Sequence, residues 1–287
     1  MLKAIEDLKE NSVNYEIAFF GGSFTAIDRS YMTELLNATV PFINSFKGIR
    51  ISTRPDCIDR EVLDILSSYK VTSIELGAQS MDDSVLKANN RGHSAEDVRN
   101  AVCLIKDYGF SLGLQMMTGL YMSDREKDMS TALEFVSLKP DTVRIYPTVV
   151  LKDTDLAQYY FDKKFSPNSL EESVELCSEL ISLFESNNIK IIRLGLHYSD
   201  SLVKNSVVNN YHPAFKELCE AKIFYNSFIS QVKNLDKNTK LCVYINKKSL
   251  SKFLGQSKSN LKAFNNWGYS FDIKFDDSLN KYDLVIK

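Results

Sequence analysis

Glu16-Ile17-Ala18-Phe19-Phe20-Gly21-Gly22-Ser23-Phe24-Thr25 runs four apolar residues into a Gly-Gly-Ser turn, and a helical pattern follows. An uninterrupted apolar run of this length reads as a strand buried on both faces, as in parallel sheets. Two glycines at its end let the backbone turn sharply and approach a ligand closely. Parallel α/β folds place their ligands at that edge of the sheet. Taken alone, Gly21-Gly22-Ser23 fits a plain strand-to-helix turn as well as a ligand loop.

Working outward, the same pattern recurs. Ile49-Arg50-Ile51-Ser52-Thr53-Arg54-Pro55 is a second strand that Pro55 ends, with Arg54 pushed to extended geometry by the proline. Ile74, Leu76 and Ala78 alternate with Glu75, Gly77 and Gln79 in a third. Ser111–Leu120 holds a fourth and Thr142–Pro147 a fifth; Lys190–His197 looks like a sixth. Asp59, Ser94-x-x-Asp97, Ser123-x-x-Glu126 and Ser169-x-x-Glu172 read as helix starts between them. The helix after Ser123 should turn Met129, Leu133 and Val136 inward. Residues 1–10 look helical. This rhythm of roughly 25–40 residues per βα unit gives either an open sheet or a barrel. The last 50 residues form a lysine-rich β-α-α-β-β pattern hinged at Gly255, so we expect one domain over 1–228 and a small one over 229–287.

Composition narrows the classes. The 287 residues carry 44% hydrophobic and 25% charged side chains and a net charge of −2, which announces no overall basic field. No apolar run reaches the length of a membrane span, and the amphipathic start is unlike a signal peptide, so a cytoplasmic location is expected. The five cysteines, Cys57, Cys103, Cys177, Cys219 and Cys242, never approach ligand spacing. The strand ends offer Gly21-Gly22-Ser23, Ser52-Thr53-Arg54, Gln79-Ser80, Gln115 to Met117, and Tyr146. That rim suits a ligand with a carboxylate, an amine and a ribose, and lacks the paired carboxylates or Ser-His-Asp set of a hydrolase. Arg50 and Arg144 read as barrel residues paired to acids, His93, His197 and His212 as isolated histidines, and Met116 and Met117 as core and pocket lining.

The ordered set Phe19-Phe20-Gly21-Gly22-Ser23-Phe24-Thr25, Ser52-Thr53-Arg54-Pro55-Asp56, Glu75–Ser80, Arg91-Gly92-His93, Met116–Leu120, Tyr146-Pro147-Thr148 and His212-Pro213-Ala214-Phe215 resembles radical S-adenosylmethionine (SAM) enzymes. Within them it resembles the bacterial relatives of the radical-SAM subunit of Elongator, and more distantly oxygen-independent coproporphyrinogen oxidase. The resemblance covers about residues 15–220. It implies an α/β fold, a partial (βα)6 TIM-type barrel holding SAM against a [4Fe–4S] cluster, which cleaves SAM to a 5′-deoxyadenosyl radical. It also implies an electron donor such as flavodoxin or ferredoxin and a tRNA substrate. By the same resemblance Gly21, Gly22 and Ser23 meet the methionine amino group, and Thr53 and Arg54 lie near the ribose or methionyl part. Gln79 and Gln115 reach the ribose and adenine, and Arg91 pairs with the carboxylate.

Two departures stand out. Ser52 replaces a carboxylate that many relatives carry. The family's C-x3-C-x2-C cluster loop is absent, and scattered single cysteines do not imitate it. The expectation is therefore an incomplete barrel lacking its first strand, an inactive truncation of an RNA-modifying enzyme. The alternative is a non-catalytic RNA-binding protein on a degenerate barrel. A missing first strand would leave an open sheet edge, with poor solubility or oligomerisation to follow. The C-terminal pattern resembles a KH-type RNA-binding module with Lys252, Gly255 and Lys258 at a degenerate G-x-x-G loop.

Overall fold

The computed structural model describes residues 3, 6, 7, 9–236 and 240–287, and the helix expected over residues 1–10 lies largely outside them. Two compact units emerge, one of residues 1–148 with 187–193 and one of 149–186 with 194–287. The boundary expected after residue 228 falls inside the helix Phe215–Val232.

The first unit is built on strands β1 (Glu16–Phe19), β2 (Gly48–Thr53), β3 (Val71–Gln79), β4 (Ser111–Thr118), β5 (Thr142–Pro147) and β6 (Lys190–Leu194). They lie side by side in chain order, a curled half-barrel of parallel strands. Period-two alternation sorts the side chains. Ile49, Ile51, Ile74, Leu76, Leu112, Leu114, Val143 and Ile145 are buried. They form one core with Met32 and Leu36 of α1 (Arg29–Asn37), Val62, Leu63 and Leu66 of α2 (Arg60–Ser68), and Val98, Val102 and Ile105 of α4 (Ala95–Asp107). A shorter α3 (Asp83–Ala88) precedes α4. Strand β1 departs from the expected two-sided burial. It is the edge of the described sheet, paired with β2 alone, so Ala18 is exposed and Glu16, Ile17 and Phe19 are half-buried.

The other residues of the alternation carry an ion chain. Arg50 Nε donates to Glu16 Oε2 at 2.8 Å and its Nη1 to Glu75 Oε1 at 3.0 Å. Arg144 Nε and Nη2 donate to the same Glu75 at 2.7 and 3.1 Å. Arg50 and Arg144 are thus paired to acids, as expected. Glu75 on β3 reaches Arg144 on β5 because β4 carries Gly113 opposite it, where a Cβ would stand 2.7 Å from Glu75 Cγ. Burial pushes the Glu16 carboxyl up, but bonds from Ser73 and Arg50 and the Arg50 charge outweigh it and hold it below its ordinary value.

Helix starts follow the polar residues in sequence. Asp59 accepts from Val62 N, Ser94 and Asp97 form a capping box, and Ser169 and Glu172 cap each other's backbone. The start assigned to Ser123 is corrected by one residue. Asp124 is the N-cap of α5 (Arg125–Leu138), while the Ser123 hydroxyl donates to Asp128 Oδ1 at 2.6 Å. The face shifts accordingly: Asp128, Thr131, Ala132 and Phe135 are buried, and Leu133 is exposed.

In the second unit, α6 (Asp155–Phe161), α7 (Leu170–Ser186), α8 (Asp200–Asn205) and α9 (Phe215–Val232) precede a three-stranded sheet. Its strands β7 (Lys240–Ile245), β8 (Ser270–Phe275) and β9 (Leu284–Ile286) take the order β8-β7-β9. Strand β7 runs parallel to β8 and antiparallel to β9. Between β7 and β8, α10 (Leu250–Leu254) and α11 (Ser259–Asn266) meet near Gly255. One face of the sheet, Leu241, Val243, Ile245 and Leu284, packs on Phe224, Phe228, Phe253 and Phe264. Phe228 stacks on Phe264 with centroids 3.9 Å apart.

Candidate functional site

The C-terminal ends of β1 to β4 converge on one cavity of ≈ 440 Å³, within the range of small-molecule sites. Gly21, Gly22, Ser23, Thr53, Arg54, Gln79, Arg91 and Gln115, the eight residues expected to hold the cofactor, all line it. Phe20, Ser52, Gly77, Asn90 and His93 complete the wall.

Each element delivers its group for a local reason. After β1 the chain turns through Gly21 at φ +108° and Gly22 at φ +141°, conformations that favour glycine, and nothing stands within 4 Å of either position's would-be Cβ. Ser23 opens the short 3-10 turn Phe24–Ala26, and its side chain makes no capping bond to that turn. At the end of β3, Gln79 sits at φ +66°, inside a three-residue turn closed by Ser80 N–H donating to Ala78 O at 2.8 Å. Such turns are strained, and strain of this kind concentrates at functional sites. The turn sends the amide of Gln79 toward β4, where Gln115 Nε2 donates to its Oε1 at 3.4 Å.

Two expected roles are redrawn by the bonds present. The Thr53 hydroxyl is engaged at 2.6 Å with the Thr25 hydroxyl, which in turn donates to Cys57 O. Thr53 therefore joins two loops and meets the cavity with its remaining surface. Arg54 is held by Asp56 through Nε at 2.9 Å and Nη2 at 2.5 Å, and Nη2 reaches Gly92 O at 3.5 Å. Its guanidinium is largely satisfied within the protein.

Arg91 is different. Its Nε is buried without a partner, and Nη2 meets only the Met117 sulfur at 3.5 Å. Among the described residues no carboxylate pairs with it. Burial first, and then the nearby Arg54 charge, push its guanidinium below its ordinary pKa. Arginine stays charged regardless, so the cavity holds an uncompensated, fork-shaped cation. The lining includes two arginines and no Asp or Glu. A carboxylate-bearing ligand meets that requirement. His93 is not isolated: it borders the same cavity, with Nε2 3.0 Å from Ala78 O and Nδ1 buried and unpaired.

Two family models match within residues 1–224, and residues 225–287 lie outside both. Residues 1–133 match the Radical SAM superfamily, and residues 140–224 match the Radical SAM C-terminal domain. The chain belongs to the radical SAM superfamily. Within this superfamily it is 28% identical over 188 residues to a tRNA uridine(34) acetyltransferase of Dehalococcoides mccartyi, covering 58% of this chain and 41% of that protein. It is 30% identical over 205 residues to human Elongator complex protein 3, covering 62% and 37%. The chain thus spans about two fifths of the length of these curated relatives. In fold it resembles an N-terminally deleted Elp3 of Methanocaldococcus infernus, with a TM-score of 0.69 at 23% identity over 82% of this chain and 58% of that one. Coproporphyrinogen III oxidase (HemN) of Escherichia coli, a radical SAM enzyme, follows at 0.50 and 18%, over 60% and 40%.

A radical SAM domain implies SAM and a [4Fe–4S] cluster. For SAM the residues fit: the orphaned Arg91 Nε, an open glycine turn and two facing amide side chains surround one cavity. For the cluster they do not. The five cysteines of the sequence are scattered, and among the described residues no three His, Cys, Asp or Glu side chains could hold a metal ion together.

The residues expected to touch RNA lie in the second unit. Lys252 turns inward, 3.8 Å from the buried Glu220, and Lys258 is exposed in a left-handed conformation at φ +59°. Gly255, at φ +75°, has Asn260 N only 3.1 Å from its would-be Cβ, so the close α10–α11 turn requires glycine. Among the described residues no helix is long and apolar enough to cross a membrane.

Proposed function

We propose that this chain is the SAM-holding part of a radical SAM protein that acts on tRNA, with SAM bound in the cavity at the ends of β1 to β4. The Arg91 guanidinium, half-buried, without a carboxylate partner among the described residues and with Nε unbonded, carries the reading: it forks onto the SAM carboxylate, which supplies the charge the cavity lacks. The carbonyls of Gly21 and Gly22 and the Ser23 hydroxyl oxygen accept from the amino group. Gln79 and Gln115, held together as a pair, meet the ribose hydroxyls. In the family, hydrogen-abstracting chemistry would come from SAM once a cluster supplied one electron to it; the residues here would bind SAM, orient it and keep its carboxylate fixed. Support for tRNA comes from the likeness to tRNA uridine(34) acetyltransferases, and from the charge of the C-terminal segment, where residues 240–287 carry nine lysines against four aspartates. We place the KH-like contact at the Gly255 turn with Lys258, since Lys252 is held by Glu220.

Equilibrium dialysis with labelled SAM tests this directly. One saturable site per chain, displaced by S-adenosylhomocysteine, is expected, without iron in the protein. Absence of saturable binding would overturn the reading. Iron analysis after anaerobic reconstitution should find no stoichiometric cluster on these 287 residues. A stable cluster would show that the cysteines assemble in a way this structure does not provide.

A further inference from the structure

The sheet β8-β7-β9 buries one face and leaves the other open. Cross-strand register puts Tyr244 at the centre of the open face, with Lys274 directly opposite on β8 and Val285 opposite on β9. Cys242 lies two residues before Tyr244 on the same face, opposite Asp272, and exchanges both backbone hydrogen bonds with Lys287. The Nζ of Lys274 and of Lys287 stand 5.8 and 5.0 Å from the Tyr244 ring centroid. Among the described residues neither lysine has a carboxylate within 4.0 Å; Asp272 is taken by Lys240 at 2.8 Å, and Asp276, which feels the Lys287 charge, accepts from Ser278. Lys274, Val285 and Lys287 are exposed.

We infer that this open face is a platform for single-stranded nucleic acid. A flat ring flanked by two exposed ammonium groups without a carboxylate within 4.0 Å provides two contacts such a strand needs. A base stacks on Tyr244 in place of the lysine that now rests on it, and the freed ammoniums take the phosphates on either side. An acidic peptide would use the lysines and gain little from the ring. Nothing buried depends on these groups, because Leu241, Val243 and Ile245 of the same strand point the other way into the core. The platform is separate from the Gly255–Lys258 turn, and it rests only on the nucleic-acid half of the function proposed above.

The test is fluorescence anisotropy of a labelled twelve-residue oligouridylate with the full chain, in a salt series, with oligoglutamate as competitor. Tyr244→Ala is expected to weaken binding about ten-fold, within the range for one lost stack, and Tyr244→Phe to retain it. Lys274→Gln with Lys287→Gln should lower the slope of log affinity against log salt by about 1.4, the value for two phosphate contacts on a single strand. Lys258→Gln should change affinity less than Tyr244→Ala. Three results would each overturn the platform: no binding of the RNA at low salt, binding indifferent to Tyr244→Ala and the double lysine variant, or displacement by oligoglutamate as efficient as by unlabelled RNA. SAM binding measured on the same preparations shows whether the cavity reading stands or falls on its own.

Discussion

Replacing Arg91 separates a ligand-binding charge from a structural one. In the free protein this guanidinium has no carboxylate partner among the described residues, leaves Nε unbonded, and feels the Arg54 charge. Arg91→Ala therefore removes little that stabilises the fold, and the unfolding free energy should move by less than about 0.5 kcal/mol. Ligand binding should respond quite differently. A hydrogen bond to a charged group is worth about 1.5–3 kcal/mol, so losing the carboxylate contact weakens binding by a factor of roughly 10–150. Arg91→Lys keeps the charge and loses the planar fork, so its loss should fall between wild type and alanine. Titration calorimetry with S-adenosylhomocysteine, paired with urea unfolding of the same samples, reads both quantities. A dissociation constant within three-fold of wild type for Arg91→Ala would refute the assignment. So would a loss of stability as large as the loss of affinity, because that would make Arg91 a residue of the fold.

Three further outcomes follow from the first unit. Gly113→Ala places a Cβ 2.7 Å from Glu75 Cγ and 3.1 Å from Thr142 Oγ1, so it should destabilise by about 1–3 kcal/mol in urea unfolding; unchanged stability would mean that Glu75 reaches Arg144 without that gap. Asp128 is buried, and its carboxyl is pushed up to about 6 from 3.8, by burial against the opposing bonds from Ser123 and Gly119. The folded state then holds its proton more tightly than the unfolded state. Its stabilising contribution is complete below about pH 4 and is lost as pH rises through 6, a loss of about 3 kcal/mol by pH 7. The stability difference between wild type and Asp128→Asn should shift by that order between pH 4 and 7, and a flat difference would contradict the burial argument. Finally, β1 leaves one hydrogen-bonding edge open in the described sheet, with Phe20 beside it 56% exposed; light scattering at high concentration should show association, and a clean monomer would count against it.

The parallel core was legible because alternation is a strong signal when a sheet has one apolar and one polar face. Ile74, Leu76 and Ala78 are buried where the period-two reading puts them, and Arg50 and Arg144 find acids. Errors arose where a signal was short. Ser123-x-x-Glu126 has the spacing of a capping box, yet Asp124 one residue on is an equally good cap and wins, because Ser123 is drawn to the buried Asp128. That single step turns Leu133 outward. The apolar run before Gly21 suggested burial on both sides, and composition alone carries no information on whether a strand lies inside a sheet or at its edge.

The cavity was legible for a simpler reason: parallel strands all deliver their C-terminal residues to the same side, so listing strand ends lists neighbours. What sequence could not supply was which of those groups are still available. Thr53 and Arg54 looked like ligand-binding residues by type and place, and in the structure their polar atoms are taken by Thr25 and Asp56. Arg91 looked no stronger on paper, and is the cation left without an acid. Asn90 and His93 escaped notice as lining because they arrive from the loop after α3, between strands, where no periodicity marks them. A residue's capacity to bind depends on the partners it does not have, and that is decided by long-range contacts such as the 28-residue step from Thr25 to Thr53. Arg91 is accordingly the residue on which the cofactor assignment is most exposed to test, since within the cavity it alone combines charge, burial and an unmet hydrogen bond.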